Sequence, residues 1–225
     1  WGSGGLAAVW AEQNTRASLF DAMYSKETFA TSGPRLQLRF FAGWDFTPSL
    51  LKQPDVIAQA YARGVPMGGK LGSKQTTLAD KAELANNAPI FIIVALKDPI
   101  GANLDRVQII KAWVDERGES HEKVFDVAVS DGRTIETDPD KNRIGKVPAV
   151  GNTVNIKNAS YDNSIGVTSL SAVWSDPQFN QSQQAFYYAR VLEIPTPRWS
   201  TFDDVKLGFG RQILEATEIL LKSHL

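Results

Sequence analysis

Hydrophobic positions along this chain recur mostly at the period of a β-strand. Ile90-Phe-Ile-Ile-Val-Ala-Leu96 is an unbroken apolar run, the pattern of a strand covered on both faces and central in its sheet. Leu36, Leu38 and Phe40 alternate with Arg35, Gln37 and Arg39, as a half-buried strand does. Downstream, Asp98 to Ala102 reads as a turn, and Val107, Ile109, Lys111 and Trp113 alternate with Gln108, Ile110, Ala112 and Val114. After a second turn at Gly118, segment 124–129 sets Phe125, Val127 and Val129 on one face. Segments 153–156, 166–174 and 185–194 are further strand candidates. Pro195-Thr-Pro197 ends the last of them, because proline cannot donate to a ladder. Turn signals spaced roughly 10–15 residues apart fit an antiparallel β-sandwich better than a parallel sheet.

A helical rhythm breaks in at three places. Asn14 is placed to cap a helix carrying Leu19, Phe20, Met23 and Tyr24 at three- and four-residue spacing. Lys26 and the Thr-Ser-Gly-Pro turn end that helix, and the apolar run Leu6-Ala-Ala-Val-Trp10 before it reads as a buried strand. Strand, helix and the strand at 36–41 then look like the last α/β unit of a larger domain. Pro54-Asp55 opens a second helix with Val56, Ile57, Ala60 and Tyr61, stopped by Gly64, before a turn at 65–69. Ile213, Leu214, Thr217, Leu220 and Leu221 predict a terminal amphipathic helix. The pattern divides the chain into an α/β segment 1–44, a connection 45–88 with a short helix, a β-sandwich-like domain 89–208, and a terminal helix 209–225. The fold class is α+β.

Charge and composition remove whole classes of function. With 24 basic and 25 acidic residues among 225, the chain has no global field to recruit nucleic acid or an anionic membrane surface. Cysteine is absent, which excludes disulfides, thiolate metal sites and cysteine nucleophiles. No apolar run reaches the roughly 18 residues of a membrane span. The chain opens on Trp1-Gly-Ser-Gly-Gly5 rather than Met, so it reads as a piece of a longer polypeptide. Its compartment stays open, with an exported or periplasmic setting compatible.

Catalytic chemistry is sparse. Of the two histidines, His121 and His224, neither has a potential ligand at i+2 or i+4, and both read as exposed residues outside any metal site. Asp138, Asp140 and Asn142 alternate as a calcium loop begins, but Arg143 stands where the turn glycine belongs and Ala149 where the bidentate Glu belongs. Gly68-Gly69 leads into no helix and reads as a turn rather than a phosphate cradle. No Gly-x-Ser-x-Gly elbow is present. Thr31, Ser32 and Arg35 carry two hydroxyls and a guanidinium suited to an anionic substrate, beside the alternative of an ordinary turn followed by a strand-edge Arg. Trp44, Trp113, Trp174 and Trp199 raise a carbohydrate-stacking face, with Trp113 expected in packing and Trp199 exposed.

Several blocks together resemble a known family. Gly5-Leu-Ala-Ala-Val-Trp-Ala-Glu12, Lys26-Glu-Thr-Phe-Ala-Thr-Ser-Gly-Pro-Arg35, Arg39-Phe-Phe-Ala-Gly-Trp44, Gly64-Val-Pro-Met-Gly-Gly69, Leu170-Ser-Ala-Val-Trp174 and Phe186-Tyr-Tyr-Ala-Arg-Val-Leu-Glu-Ile-Pro-Thr-Pro-Arg-Trp-Ser200 look like the C-terminal part of the bacterial domain-of-unknown-function family 3604. That family is similar to the polymerase-and-histidinol-phosphatase superfamily of metal-dependent hydrolases. The resemblance implies that segment 6–41 is the strand-helix-strand remnant of a distorted α/β barrel, followed by a β domain. It also implies that clustered His and Asp ligands for a divalent metal lie upstream of Trp1, so no catalytic residue and no metal ligand is assigned to this chain.

The expectation is a non-catalytic C-terminal portion of a phosphoesterase-like hydrolase, inactive alone, with the metal held by the full-length parent. Its partners would be the upstream part of its own barrel and a small-molecule substrate, with Thr31, Ser32 and Arg35 as substrate contacts. The alternative is a carbohydrate- or protein-binding β-sandwich module.

Overall fold

The computed structural model describes residues 4–72, 88–135, 137–138, 143–144 and 147–208. Its centre is β5 (Ile90–Leu96), which lies between β3 (Gln37–Gly43) and β10 (Ser169–Ser175) in an antiparallel four-stranded sheet of order β10-β5-β3-β4, where β4 is Gly64–Pro66. The unbroken apolar run of β5 is explained by burial on both sides. Ile93 packs with Leu38, Phe40, Leu104, Val107 and Ile109 against a second sheet, while its neighbour Ile92 packs with Phe41, Phe46, Leu50 and Ala60 under a helical layer.

That second sheet is three-stranded, order β11-β6-β7, from β6 (Leu104–Val114), β7 (Ser120–Val129) and β11 (Ala185–Glu193). The helical layer is a short 3-10 helix, Pro48–Lys52, and α2 (Val56–Arg63), capped at its end by Gly64 as expected. A mainly antiparallel sandwich within an α+β fold is therefore what the chain forms, and no barrel closes among the described residues. Two-residue strands β8 (Thr137–Asp138) and β9 (Arg143–Ile144) pair in the insertion, and α3 (Trp199–Leu207) follows β11. The expected terminal helix 209–225 lies outside the described residues.

Several expectations are corrected. Leu6–Val9 (β1) is not the buried strand of an α/β unit: it pairs antiparallel with β2, Thr28–Thr31, a strand not expected between the helix end at Lys26 and the Thr31–Pro34 turn. The next strand, expected to complete an α/β unit, instead enters the sandwich as β3, so no barrel remnant is visible in this pairing. Apolar alternation marks a strand but carries no information about its partner.

Helix α1 (Arg16–Tyr24) is capped by Thr15, whose Oγ1 accepts from Ser18 N at 3.3 Å, one residue after the expected Asn14. Its apolar stripe does not face the core: Ala22 is buried, whereas Phe20, Met23 and Tyr24 are exposed. Segment 153–156 is no strand, because Asn155 pairs back with Ser160 around a 3-10 turn closed by left-handed Ala159. On β7, a bulge between the pairs of Val107 and Gln108 leaves Val127 unmatched, so Val129 pairs with Arg106 out of phase with Phe125. Helix α3, with apolar residues exposed on it, was not marked by its pattern.

Ile93 is fully buried between the sheets. Ile93→Ala is expected to lower unfolding free energy by about 2–5 kcal/mol, read from urea denaturation followed by far-UV circular dichroism, with less than about 1 kcal/mol contradicting the interlayer core.

Candidate functional site

The four-stranded sheet is wider than the three-stranded sheet it faces, and beside the buried Leu38 and Phe40 of β3 it leaves Leu36, Ala42 and Met67 only partly buried. A cleft of about 1440 Å³ opens there. Leu36, Leu38, Phe40 and Ala42 of the β3 segment line it together with Met67; Thr28–Ser32 line one side, and Gln183–Ile194, including all of β11, line the other. Among the described residues β11 pairs only with β6, so its second edge of backbone groups borders the cleft.

Cross-strand pairing decides which β11 side chains face the core. Tyr187, Ala189, Val191 and Glu193 pair with Lys111, Ile109, Val107 and Leu104, and directly paired residues project to the same face. Because Leu104 belongs to the interlayer core, Glu193 sets a carboxylate on the apolar side of the sheet. Its Oε1 is shut away from solvent with no hydrogen-bond partner among the described residues. Burial raises its pKa first, the nearby Asp98 carboxylate raises it further, and Lys97 pulls the other way. Asp98 is held below the ordinary carboxylate range by the backbone N–H groups of Arg35, at 2.7 Å, and of Ile100, at 3.1 Å.

This places the hinge residues. Thr31 and Ser32 line the cleft, and Thr31 Oγ1 accepts from Gly33 N at 3.2 Å. Arg35, by contrast, lines a smaller hollow of about 300 Å³ beside β1, which Thr31 also borders. The two hydroxyls and the guanidinium therefore share Thr31's neighbourhood without all opening into the main cleft. Glu193, a half-buried carboxylate in the lining of the cleft, was missed in the sequence. Its one signal was a charged residue in phase with Ala189 and Val191.

The opposite end of β11 is fixed by a buried triad. Lys111 Nζ lies 2.6 Å from Asp176 Oδ2 and donates to Gln178 O at 2.7 Å, while the Tyr187 hydroxyl donates to the same carboxylate at 2.7 Å. Burial, then Asp176, raises the Tyr187 pKa far above its ordinary value. The triad ties down the loop that carries Phe179, which meets Trp44 edge-on at 6.4 Å and lines the same cleft.

Elsewhere the structure brings together a group that sequence spacing did not reveal. Asp115, Glu119 and His121 converge on the β6–β7 turn with ligand atoms within 4.8 Å of one another, since the hairpin folds residues six apart side by side. His121 Nε2 sits 2.9 Å from Asp115 Oδ2, a contact that lowers the Asp115 pKa. The group lies on an exposed turn. His121 also stacks on Trp113 at 5.3 Å, and Trp174 packs on Phe91 and Phe125, so those indoles are engaged in packing; Trp199 is exposed as expected. The side chains of Asp138, Asp140 and Asn142 lie outside the described residues. No helix among the described residues is long and apolar enough to cross a membrane.

The family described as "protein of unknown function (DUF3604)" matches residues 1–219. The chain belongs to that family. No curated protein and no solved structure matches it. The cleft, with β11 along its side and Glu193 at one end, is thus a candidate site in a DUF3604 chain whose family description assigns no activity.

Glu193 sets a pH signature on this DUF3604 chain. A carboxyl group raised on folding contributes stability that is present below its unfolded pKa of about 4.3 and is lost as pH rises through the folded value. Glu193→Gln is therefore expected to stabilise the protein at pH 8 and to match it near pH 4. Urea denaturation at both pH values checks this, and a difference that does not grow with pH would contradict the burial of the ionised group.

Proposed function

We propose that this chain is a protein-binding module that takes an extended peptide segment into the interlayer cleft, adding it as a strand to the edge of β11. The observation that carries this reading is the second edge of β11, unpaired among the described residues, beside the partly buried apolar residues Leu36, Ala42 and Met67 that line the cleft. A strand added to an exposed edge gains main-chain hydrogen bonds, and its alternate side chains find apolar pockets. Nine residues of β11 span about 30 Å at the usual strand rise. That length suits six or more residues of partner. The backbone edge of β11 favours a peptide, whose own amides and carbonyls continue a ladder, over a sugar, although aromatic residues such as Trp44, Phe179 and Tyr188 line the cleft beside Leu36 and Met67.

Such a role accords with a non-catalytic part of a metal-dependent hydrolase of the polymerase-and-histidinol-phosphatase type, the parent activity that the family resemblance implies. In that reading the divalent metal and the phosphoesterase chemistry belong to the larger polypeptide. Thr31 and Ser32 then contribute binding rather than bond-breaking.

The test is hydrogen exchange of backbone amides. Acetyl-(Val-Thr)3-amide at millimolar concentration is expected to slow exchange in 186–192, whereas acetyl-(Val-Pro)3-amide, which lacks half of the donors, leaves it unchanged. Equal effects of the two peptides, or no protection in β11 from either, would overturn strand addition.

A further inference from the structure

The cleft is electrically polarised along its length. Glu193 and Thr31 line one end with Thr196, and Asp98 lies close enough to Glu193 to shift its ionisation. At the end bordered by Val65–Gly69, the charged lining residues are Lys26 and Lys70. Arg190 also borders the cleft, but its Nε donates to Gln108 Oε1 at 2.8 Å on the other face of β11. Lys97, whose charge acts on Glu193, spends its ammonium on the carbonyls of Asp98 and Gly101, at 3.1 and 2.7 Å. Asp98 is occupied by the Arg35 and Ile100 amides. Glu193 Oε1, in contrast to Asp98, has no donor among the described residues.

A carboxylate kept on an apolar face without a partner destabilises the free protein. A bound group that supplies both a positive charge and N–H donors reverses that cost. We infer that the Glu193 end of the cleft is a seat for a primary ammonium group carried by the bound segment, either a lysine side chain or a free amino terminus. The inference rests on the peptide-binding reading of the cleft and adds its chemical selectivity. An ammonium suits the place better than a broad planar cation because it is compact and offers its donors in rotatable directions. The terminal torsion of a Glu side chain is soft, so the carboxylate turns toward an incoming donor at little cost. With Lys26 and Lys70 at the far end, a segment that seats an amino terminus at Glu193 and a carboxylate near the lysines runs antiparallel to β11.

Small probes separate this inference from the reading beneath it. n-Pentylammonium and n-pentanol carry the same apolar tail and are titrated into the whole chain, with amide chemical shifts of Thr31, Ser32 and 189–194 as the readout. The ammonium is expected to bind about tenfold more tightly than the alcohol at low salt. In Glu193→Gln, whose folding is checked by its denaturation curve, that ratio falls to near unity. Equal affinities in the native chain, or a ratio unchanged in the variant, overturn the ammonium seat while pentanol binding leaves the apolar cleft intact. Absence of shifts with both probes overturns the seat and the cleft together. Nα-acetyl-lysine amide and valinamide then distinguish the sources: the tighter of the two identifies side chain or terminus, and no advantage of either over Nα-acetyl-valinamide again overturns the seat.

Discussion

Everything in this fold depends on β5 being apolar on both faces. Ile92 and Ile93 are adjacent and both fully buried, which is sustainable only where a layer covers each side of the sheet. One cover is made by α2 and the 3-10 helix, the other by the β11-β6-β7 sheet. The two covers differ in width. Three strands face four, so the interlayer core takes in Leu38 and Phe40 of β3 but leaves Leu36, Ala42 and Met67 only partly buried. The cleft is the geometrical remainder of that mismatch, bounded by β2 and the β4 corner. Gly68, at φ +83°, is what lets that corner approach α1 and β2, since a Cβ there would meet Ser25 O at 2.4 Å.

Much of the sandwich was legible because burial leaves a direct mark on sequence. The run 90–96 announced a central strand, and Ala185 to Ile194 announced β11 nearly to the residue. What stayed hidden depends on long-range pairing. Nothing in the alternation of Leu36, Leu38 and Phe40 tells whether their strand ends one domain or lies inside another. The bulge at Val127 was equally silent, because one unmatched residue shifts phase without changing composition. Helix α1 misled for the opposite reason: its spacing is helical and correct, yet Phe20, Met23 and Tyr24 face outward. Periodicity predicts that a face exists, and says nothing of what covers it.

The candidate site shows the same division. Thr31 and Ser32 stood out in the sequence as hydroxyls beside a turn, and both do border the cleft. Glu193 carries the stronger chemistry but was unreadable, since a Glu near a strand end ordinarily points to water. Only its pairing with Leu104 turns it inward. Likewise Asp115 and His121 are six positions apart, a spacing without meaning until a hairpin folds them together.

The Lys111–Asp176–Tyr187 triad carries one more consequence. Lys111 is only 3 % exposed at its side chain, and the loop bearing Phe179 lies over it through Asp176 and Gln178. Amine-reactive reagents modify an accessible lysine, and this one is shut away from solvent while the loop is down. Acylation of Lys111 in the native protein would thus proceed only through openings of that end of the cleft. The lysine is a built-in clock for loop motion, readable by mass spectrometry without any added label.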